Sequence, residues 1–346
     1  MGGRQPPRAR LEIRAPVPRG PARGGHGKLM PRVSVIIPAY NYGRFLGEAV
    51  DSVLKQTFGD LECIVVDDGS ADETASVLAS FTDPRMVFAT TPRLGVSGAR
   101  NRGLELSRGD LIAFLDADDR WRPGKLERQV ALLDGEPGVD LVFTNFVRFT
   151  AEEGFLPDQF TYVPELGAVP RRKAAGGGIV IEGNPFDFLI GTREAAAWVP
   201  TVVIRKTAAE SIRFPPGVAV GEDLHYLLHV AWNSRGLAFL PDPQVEVRRH
   251  RNNAYEARDV PANLVRVLRM METDAPFSGT SAFRRRLGVE LAALGTRMAR
   301  QGEFAQAVES LAGSLRFGEA RGAAVKACLA FPPRWLLGVA RRRRIR

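Results

Sequence analysis

The order of apolar and polar positions changes character at Arg32. Val33 to Ile37 is a β-branched run closed by Pro38, the pattern of a strand covered on both faces. Phe45, Leu46, Ala49, Val50, Val53 and Leu54 then recur at helical spacing. Cys63 to Val66 reads as a second strand that stops at Asp67 and Asp68, with Ser70 placed to cap the helix that follows. Met86 to Ala89 is a third strand, Val96 to Ser107 a helix, and Leu111 to Leu115 a fourth strand ending in Asp116-Ala117-Asp118-Asp119. Strands alternating with helices predict an α/β fold, a mostly parallel sheet flanked by helices, whose binding edge lies at the strand C-termini.

Beyond this repeat the pattern loosens. Asp140 to Phe149 and Thr201 to Ile204 read as strands and Asp223 to Trp232 as a helix, while Gly176-Gly177-Gly178 suggests a mobile loop. From about Leu264 the chain is helical, and Ala292 to Leu315 resembles a single tetratricopeptide-like hairpin turned at Gln301-Gly302. The expected organisation is a basic disordered tail over 1–31, an α/β domain over 32–263, and a helical extension with a basic C-terminal tail over 264–346. Met30 directly precedes the first strand and is an alternative start.

Composition narrows the function classes. The 346 residues carry 45% hydrophobic and 25% charged side chains, as a soluble globular protein does. The longest apolar uncharged run, Ala195 to Ile204, is half the roughly 20 residues a membrane span needs. No apolar stretch follows the N-terminal arginines, so no signal peptide is expected. Two cysteines, Cys63 and Cys328, make neither a disulfide framework nor a zinc site, which suits a cytoplasmic setting. The net charge of +9 sits in the tails: residues 1–32 hold eight basic side chains against Glu12 alone, and residues 334–346 hold six arginines and no acid. The body is left mildly acidic, which argues against a nucleic-acid platform. Trp335, Leu336, Leu337 and Val339 followed by Arg341 to Arg344 fit an anionic membrane interface, or equally a solvated tail.

Four constellations carry candidate chemistry. Pro38-Ala39-Tyr40-Asn41 opens a loop that offers backbone and an aromatic ring to a flat base. In Asp67-Asp68-Gly69-Ser70 the carboxylates are placed to accept from base N–H groups or ribose hydroxyls. Asp116-Ala117-Asp118-Asp119 supplies hard oxygen ligands at a strand end, suited to Mg²⁺ or Mn²⁺ with water and diphosphate oxygens filling the other positions. Gly221-Glu222-Asp223 puts a carboxylate pair at a helix start, where the dipole favours ionisation. Each has a plainer reading: a turn for Asp67-Asp68, a solvated loop for Asp116 to Asp119, helix N-terminal acids for Glu222-Asp223. His225 and His229 have metal-ligand spacing but no third partner in the sequence, which favours packing or surface roles. Cys63 reads as a small core residue.

The four motifs in this order, with Gly95-Val96-Ser97 and Ala99-Arg100-Asn101-Arg102-Gly103 between the second and third, resemble the family 2 glycosyltransferases over Val33 to Asn253. The resemblance implies the GT-A fold, a Rossmann-like mostly parallel sheet. It also implies that Asp67 contacts the nucleobase, that Asp116 and Asp118 form the metal and ribose motif, and that Asp223, beside Glu222, is the catalytic base. His250, in Arg248-Arg249-His250-Arg251-Asn252-Asn253, corresponds to a basic segment near the diphosphate, where Arg100 is a further candidate anchor. The Gln-x-x-Arg-Trp signature of processive members is absent, Trp232 standing instead in Ala231-Trp232-Asn233-Ser234. The expectation is therefore a metal-dependent, inverting, non-processive hexosyltransferase of the cytoplasm or the inner face of the cell membrane. It would take a nucleotide-diphosphate sugar donor and a glycan, lipid-linked or protein acceptor in cell-surface glycan synthesis, with no nucleic-acid partner. A catalytically silent nucleotide-sugar-binding adaptor is the alternative of another class.

Overall fold

The protein is described here from a computed structural model over residues 30–150, 152–192, 196–218, 220–250 and 260–317. Its first half alternates as the pattern predicts: β1 (Val33–Ala39), α1 (Gly43–Leu54), β2 (Leu61–Asp67), α2 (Thr74–Ala79), β3 (Met86–Thr90), α3 (Gly95–Leu106) and β4 (Leu111–Phe114). A two-residue strand β5 (Arg120–Trp121) leads into α4 (Lys125–Gly135) and β6 (Leu141–Thr150). Next come β7 (Gly154–Asp158), α5 (Glu165–Ala168), β8 (Arg171–Lys173), β9 (Ile179–Ile181), α6 (Pro185–Gly191), β10 (Val203–Arg205) and α7 (Lys206–Ala209). The C-terminal part holds α8 (Glu222–Asn233), β11 (Leu237–Arg248), α9 (Val260–Asp274), α10 (Ser281–Arg300) and α11 (Phe304–Leu315).

One sheet runs through the molecule in the order β3-β2-β1-β4-β10-β6-β11-β9-β8, with β5 paired to β11 and β7 to β6. The strands from β3 to β4 are parallel because helical crossovers return the chain each time. β10 lies antiparallel between β4 and β6, and β6 and β11 are again parallel. Alternation along each central strand divides its side chains between two cores. Val33, Val35 and Ile37 face the layer of α1 and α4, while Ile36, Ile64 and Phe114 face the side covered by α6, α8, α9 and α10. Helix α3 lies close on β1: a Cβ at Gly103 would stand 2.3 Å from Ile36 Cγ2.

Differences from the sequence expectation have local causes. The 12-residue β11 went unforeseen because Pro241 and Pro243 interrupt its apolar pattern; register shifts on either side of Pro243 accommodate them against β6. The segment Gly176-Gly177-Gly178 is the turn of the β8–β9 hairpin, with Gly176 and Gly177 at positive φ and Gly178 against Leu132. Ser70 does not cap α2; Asp72 instead accepts from the N–H of Thr74 at 3.0 Å and of Gly43 at 2.9 Å. Helix α9 begins at Val260, and Leu268, Met271, Phe277, Phe283 and Leu287 share the core of the sheet. The α10–α11 hairpin turns at Gln301-Gly302 as read from the sequence. Among the described residues no helix is long and apolar enough to cross a membrane. The tails 1–29 and 318–346, with Cys328 and Trp335 to Arg346, lie outside the described residues, as do Arg251, Asn252 and Asn253.

Candidate active site

The first two motifs meet at the C-terminal edge of β1 and β2. Asp68 N–H donates to Ala39 O at 2.8 Å, Asn41 N–H to Ser70 Oγ at 2.9 Å, and Ala71 N–H to Asn41 Oδ1 at 2.8 Å. Asn41 takes φ 55°, a left-handed conformation that Asn tolerates better than most residues. Gly69 has φ 78° with Thr91 O 3.4 Å from where a Cβ would sit. Asp68 is used inside the protein: Oδ1 accepts from Thr91 Oγ1 at 2.6 Å and Leu94 N–H at 2.7 Å, and Oδ2 from Gly95 N–H at 2.7 Å. It thereby fixes the turn into α3. Asp67 accepts from Ser70 N–H through Oδ1 at 3.0 Å, which leaves Oδ2 without a hydrogen-bond donor among the described residues. The Arg93 guanidinium sits 5.0 Å from the centroid of the Tyr40 ring.

The third motif joins the end of β11. Asp119 is buried and accepts from Arg248 N–H at 2.8 Å through Oδ1, so it anchors the strand at the edge of the cleft it helps to line. Burial, then the charges of Asp118 and Asp116, push its pKa well above the usual carboxylate range. β5 pairs Trp121 with Val245 and Arg120 with Glu246, which aligns β11 with the acidic turn. That register carries His250 to Asp118: the imidazole Nε2 and Asp118 Oδ2 are 3.0 Å apart. The ring packs on Phe45 at 5.0 Å and Tyr42 at 5.8 Å. Arg248 is likewise used internally, donating to Asp118 O at 3.0 Å and Glu48 at 2.7 Å.

The fourth motif is tied to the third by Arg100 on α3. Its guanidinium is 3% exposed and donates to Asp116 Oδ1 at 2.8 Å and Glu222 Oε1 at 2.9 Å, with the Phe214 ring 5.1 Å away. Burial alone would lower its pKa, but Asp116 and Glu222 outweigh that and leave it above the ordinary arginine value. Arg100 thus bridges two carboxylates while lining the cleft with them. Asn101 pins the neighbouring loop, donating to Phe214 O at 2.9 Å and accepting from Phe214 N–H at 2.8 Å. Asp223 is half-buried and accepts from Leu224 N–H at 2.7 Å. Desolvation first, then the Glu222 charge, raise its pKa to about 6, with Arg100 opposing. Asp116 is raised too, chiefly by burial and by Asp118, against the pull of Arg100.

Pro38, Ala39, Tyr40, Asp68, Arg100, Asp116, Ala117, Asp118, Glu222 and Asp223 line one cleft of about 860 Å³. Asp67, Asn41, Gly69, Ser70 and His250 are not part of this lining; Asn41 lines a neighbouring pocket of about 410 Å³ with Tyr40, Tyr42 and Arg44. Among the described residues no three His, Cys, Asp or Glu side chains gather closely enough to hold a cation unaided. His225 and His229 pack as neighbours: their rings lie 4.3 Å apart, tilted by 31°, and His229 packs on Phe277. Cys63 is buried in β2. Arg93 and Trp198 also line the cleft and were missed, because one lies on an irregular loop at φ 55° and the other in the poorly patterned middle region.

Comparison with known proteins matches this architecture. The structure of S. aureus TarS 1-349 in complex with UDP-GlcNAc superposes with a TM-score of 0.59 at 19% identity, covering 86% of this chain and 89% of that one. The Pyrobaculum calidifontis mannosyltransferase PcManGT, in complex with GDP-Man and Mn²⁺, gives 0.52 at 21% identity, covering 90% and 84%. At these identities the likeness shows the fold, a mostly parallel sheet with flanking helices of the GT-A glycosyltransferase type. In sequence, the Escherichia coli UDP-Glc:alpha-D-GlcNAc-diphosphoundecaprenol beta-1,3-glucosyltransferase WfgD is 41% identical over 102 residues, 29% of this chain and 40% of that protein. The chain spans 32% to 54% of the length of three curated relatives, WfgD among them. Residues 34–191, which carry the first three motifs and stop short of the fourth, match the family model of glycosyl transferase family 2.

Proposed function

We propose that the protein is an inverting, non-processive glycosyltransferase that moves one hexose from a nucleoside-diphosphate sugar to an acceptor hydroxyl in the assembly of a cell-surface glycan or glycoconjugate. One observation carries the reading: the acidic turn Asp116–Asp118 and the carboxylate Asp223 line the same cleft and are bridged through Glu222 by Arg100. A candidate donor-side cation site and a candidate base are thus held in fixed relation, which positioning catalysis needs. The donor complexes of TarS and PcManGT, on the same fold, support a nucleotide-sugar ligand.

In this reading Tyr40 and Arg93 flank the nucleobase and Asp67 Oδ2 accepts from its N–H. Asp116 and Asp118, with His250 beside Asp118, would hold Mg²⁺ or Mn²⁺. The fit rests on the donor set: the hard carboxylate oxygens of Asp116 and Asp118 line the cleft together, and burial first, then the neighbouring like charges, raise the pKa values of Asp116 and Asp119, a repulsion that a divalent cation would relieve. When bound, it would supply Lewis-acid stabilisation of the charge on the departing diphosphate. Asp223 takes the acceptor hydroxyl proton as the hydroxyl oxygen attacks the anomeric carbon from the face opposite the diphosphate, so the anomeric centre inverts. A base with pKa near 6 is mostly ionised at neutral pH and still basic enough to help. Glu222, bonded to Arg100, orients the helix start and keeps negative charge beside Asp223. We place this activity in the cytoplasm at the inner face of the membrane, with the basic C-terminal segment as its contact.

A screen of nucleotide sugars for cation-dependent release of nucleoside diphosphate tests the proposal. Hydrolysis of one donor class with Mn²⁺ or Mg²⁺, suppressed by a chelator, is the expected result. Absence of nucleotide-sugar binding by calorimetry, with and without the cation, would overturn it.

A further inference from the structure

Trp198 stands at the cleft wall on a frame of buried hydrogen bonds. Its N–H donates to the Thr201 hydroxyl at 3.1 Å, and that hydroxyl donates to Trp198 O at 2.6 Å. Behind this turn Trp121 Nε1 donates to Pro200 O at 3.0 Å, and Gln129 Nε2 donates to Thr201 O at 3.0 Å and Val142 O at 2.8 Å. Lys125 ties the two props together: fully buried, it donates from Nζ to Gln129 Oε1 at 2.8 Å and lies 3.9 Å from the centroid of the Trp121 ring. Burying a lysine and a glutamine is costly. The turn they hold carries none of the acidic motifs; what it presents is the half-buried Trp198. The indole rests on Phe146, ring centroids 5.6 Å apart, and Phe146 lines the cleft as well.

The sheet sets where this ring stands relative to the acidic turn. β10 is antiparallel to β4 with Val203 opposite Ala113, so the turn before β10 lies at the edge where β4 runs on to Asp116. β6 pairs with β10 at Leu141 and Val142 and continues beyond that edge, which brings Phe146 to Trp198. In the order β2-β1-β4-β10-β6 the nucleobase motifs lie to one side of β4 and the indole to the other. A nucleotide sugar with its base at β1 and β2 and its diphosphate at the turn after β4 points its sugar toward β10 and β6. In an inverting displacement the attacking hydroxyl lies opposite the leaving group, so the acceptor comes farthest from the base. β6 is two strands from β4, about 10 Å, so the donor's hexose takes the interval and the indole meets the ring beyond it. One face of a pyranose is made of axial C–H groups, and such a face gains from an aromatic ring. Arg148, 5.0 Å from the Phe146 centroid, and buried Gln159, which accepts from it at 2.7 Å, line the cleft beside the indole and suit equatorial hydroxyls. We propose that Trp198 is the platform on which the acceptor's terminal pyranose ring stacks. The proposal rests on the transferase reading and deepens it by assigning its acceptor subsite.

The test is binding to the full chain by saturation-transfer NMR, with the methyl glycosides of glucose, galactose, mannose and N-acetylglucosamine as probes. At least one is expected to bind, with saturation strongest at the ring protons of one face. Trp198→Leu, which keeps an apolar side chain on Phe146 but no ring, is expected to weaken that binding about tenfold with unchanged circular dichroism. Trp198→Phe is expected to keep most of it. No binding of any methyl glycoside overturns the proposal, as does binding that Trp198→Leu leaves unchanged. Equal weakening by both substitutions also overturns it, since packing alone then explains the ring. So does a nucleotide sugar from the donor screen that Trp198→Leu weakens while its nucleoside diphosphate binds as before, which would put the donor's hexose on the indole. The glycoside titrations contain no nucleotide, so their outcome is separate from that of the donor screen.

Discussion

Arg100 and Glu222 stand 122 residues apart in sequence, yet the guanidinium donates to the carboxylate at 2.9 Å inside a region almost closed to solvent. The same guanidinium holds Asp116, so one cation balances two acids, Glu222 buried and Asp116 half-buried. Removing it leaves both without a countercharge. Arg100→Met is expected to lower stability by about 3–5 kcal/mol in urea unfolding, the usual cost of orphaning a buried ionic partner. A loss under 1 kcal/mol would mean that the acids are neutralised some other way.

Asp223 gives the pH dependence. Its pKa is raised to about 6, and a general base works only when ionised. Under the transferase reading kcat/KM is therefore expected to be level above about pH 7 and to fall about tenfold per pH unit below 6. Asp223→Asn is expected to keep donor binding, lose about 10²-fold or more in transfer, and flatten that limb. Glu222→Gln should be milder. Full transfer by Asp223→Asn with a dead Glu222→Gln would move the base to Glu222.

The adjacent acids Asp118 and Asp119 separate in the same way. Both line the cleft, but Asp118 is paired with His250, whereas Asp119 anchors Arg248. Asp118→Ala is expected to abolish cation-dependent nucleoside-diphosphate binding by calorimetry with little change in melting. Asp119→Ala is expected to lower the melting temperature, because the buried Arg248 N–H loses its acceptor. The opposite pattern would exchange their roles.

Gly103 tests the packing of α3 on β1. A methyl there would lie 2.3 Å from Ile36 Cγ2, within a core that has no room to yield. Gly103→Ala is expected to cost about 1–3 kcal/mol by overpacking, despite the better helix propensity of Ala. A stabilised variant would show that β1 and α3 separate easily.

What could be read from the sequence was local and periodic. The strands from Val33 to Phe114 announced themselves because parallel strands covered on both faces are apolar throughout. The acidic motifs were visible because carboxylates at strand ends and a helix start have few other uses in such a pattern. The part played by Arg100 was hidden: its partners come from β4's far end and from α8, and no spacing along α3 reports them. Likewise β11 was masked by its prolines, and with it the reason His250 stands beside Asp118.

The pairing of β11 with both β5 and β6 sets an unequal tolerance to change. Each residue of a strand advances the chain about 3.3 Å and turns the side chain to the other face. One residue gained or lost between Val245 and Arg248 would carry the imidazole of His250 away from Asp118 and unseat Asp119 as well. The short elements between β6 and β10 pair on fewer positions and bear none of the acidic motifs. Insertions and deletions that retune this scaffold for a new ligand can accumulate there, while the length of β11 stays fixed.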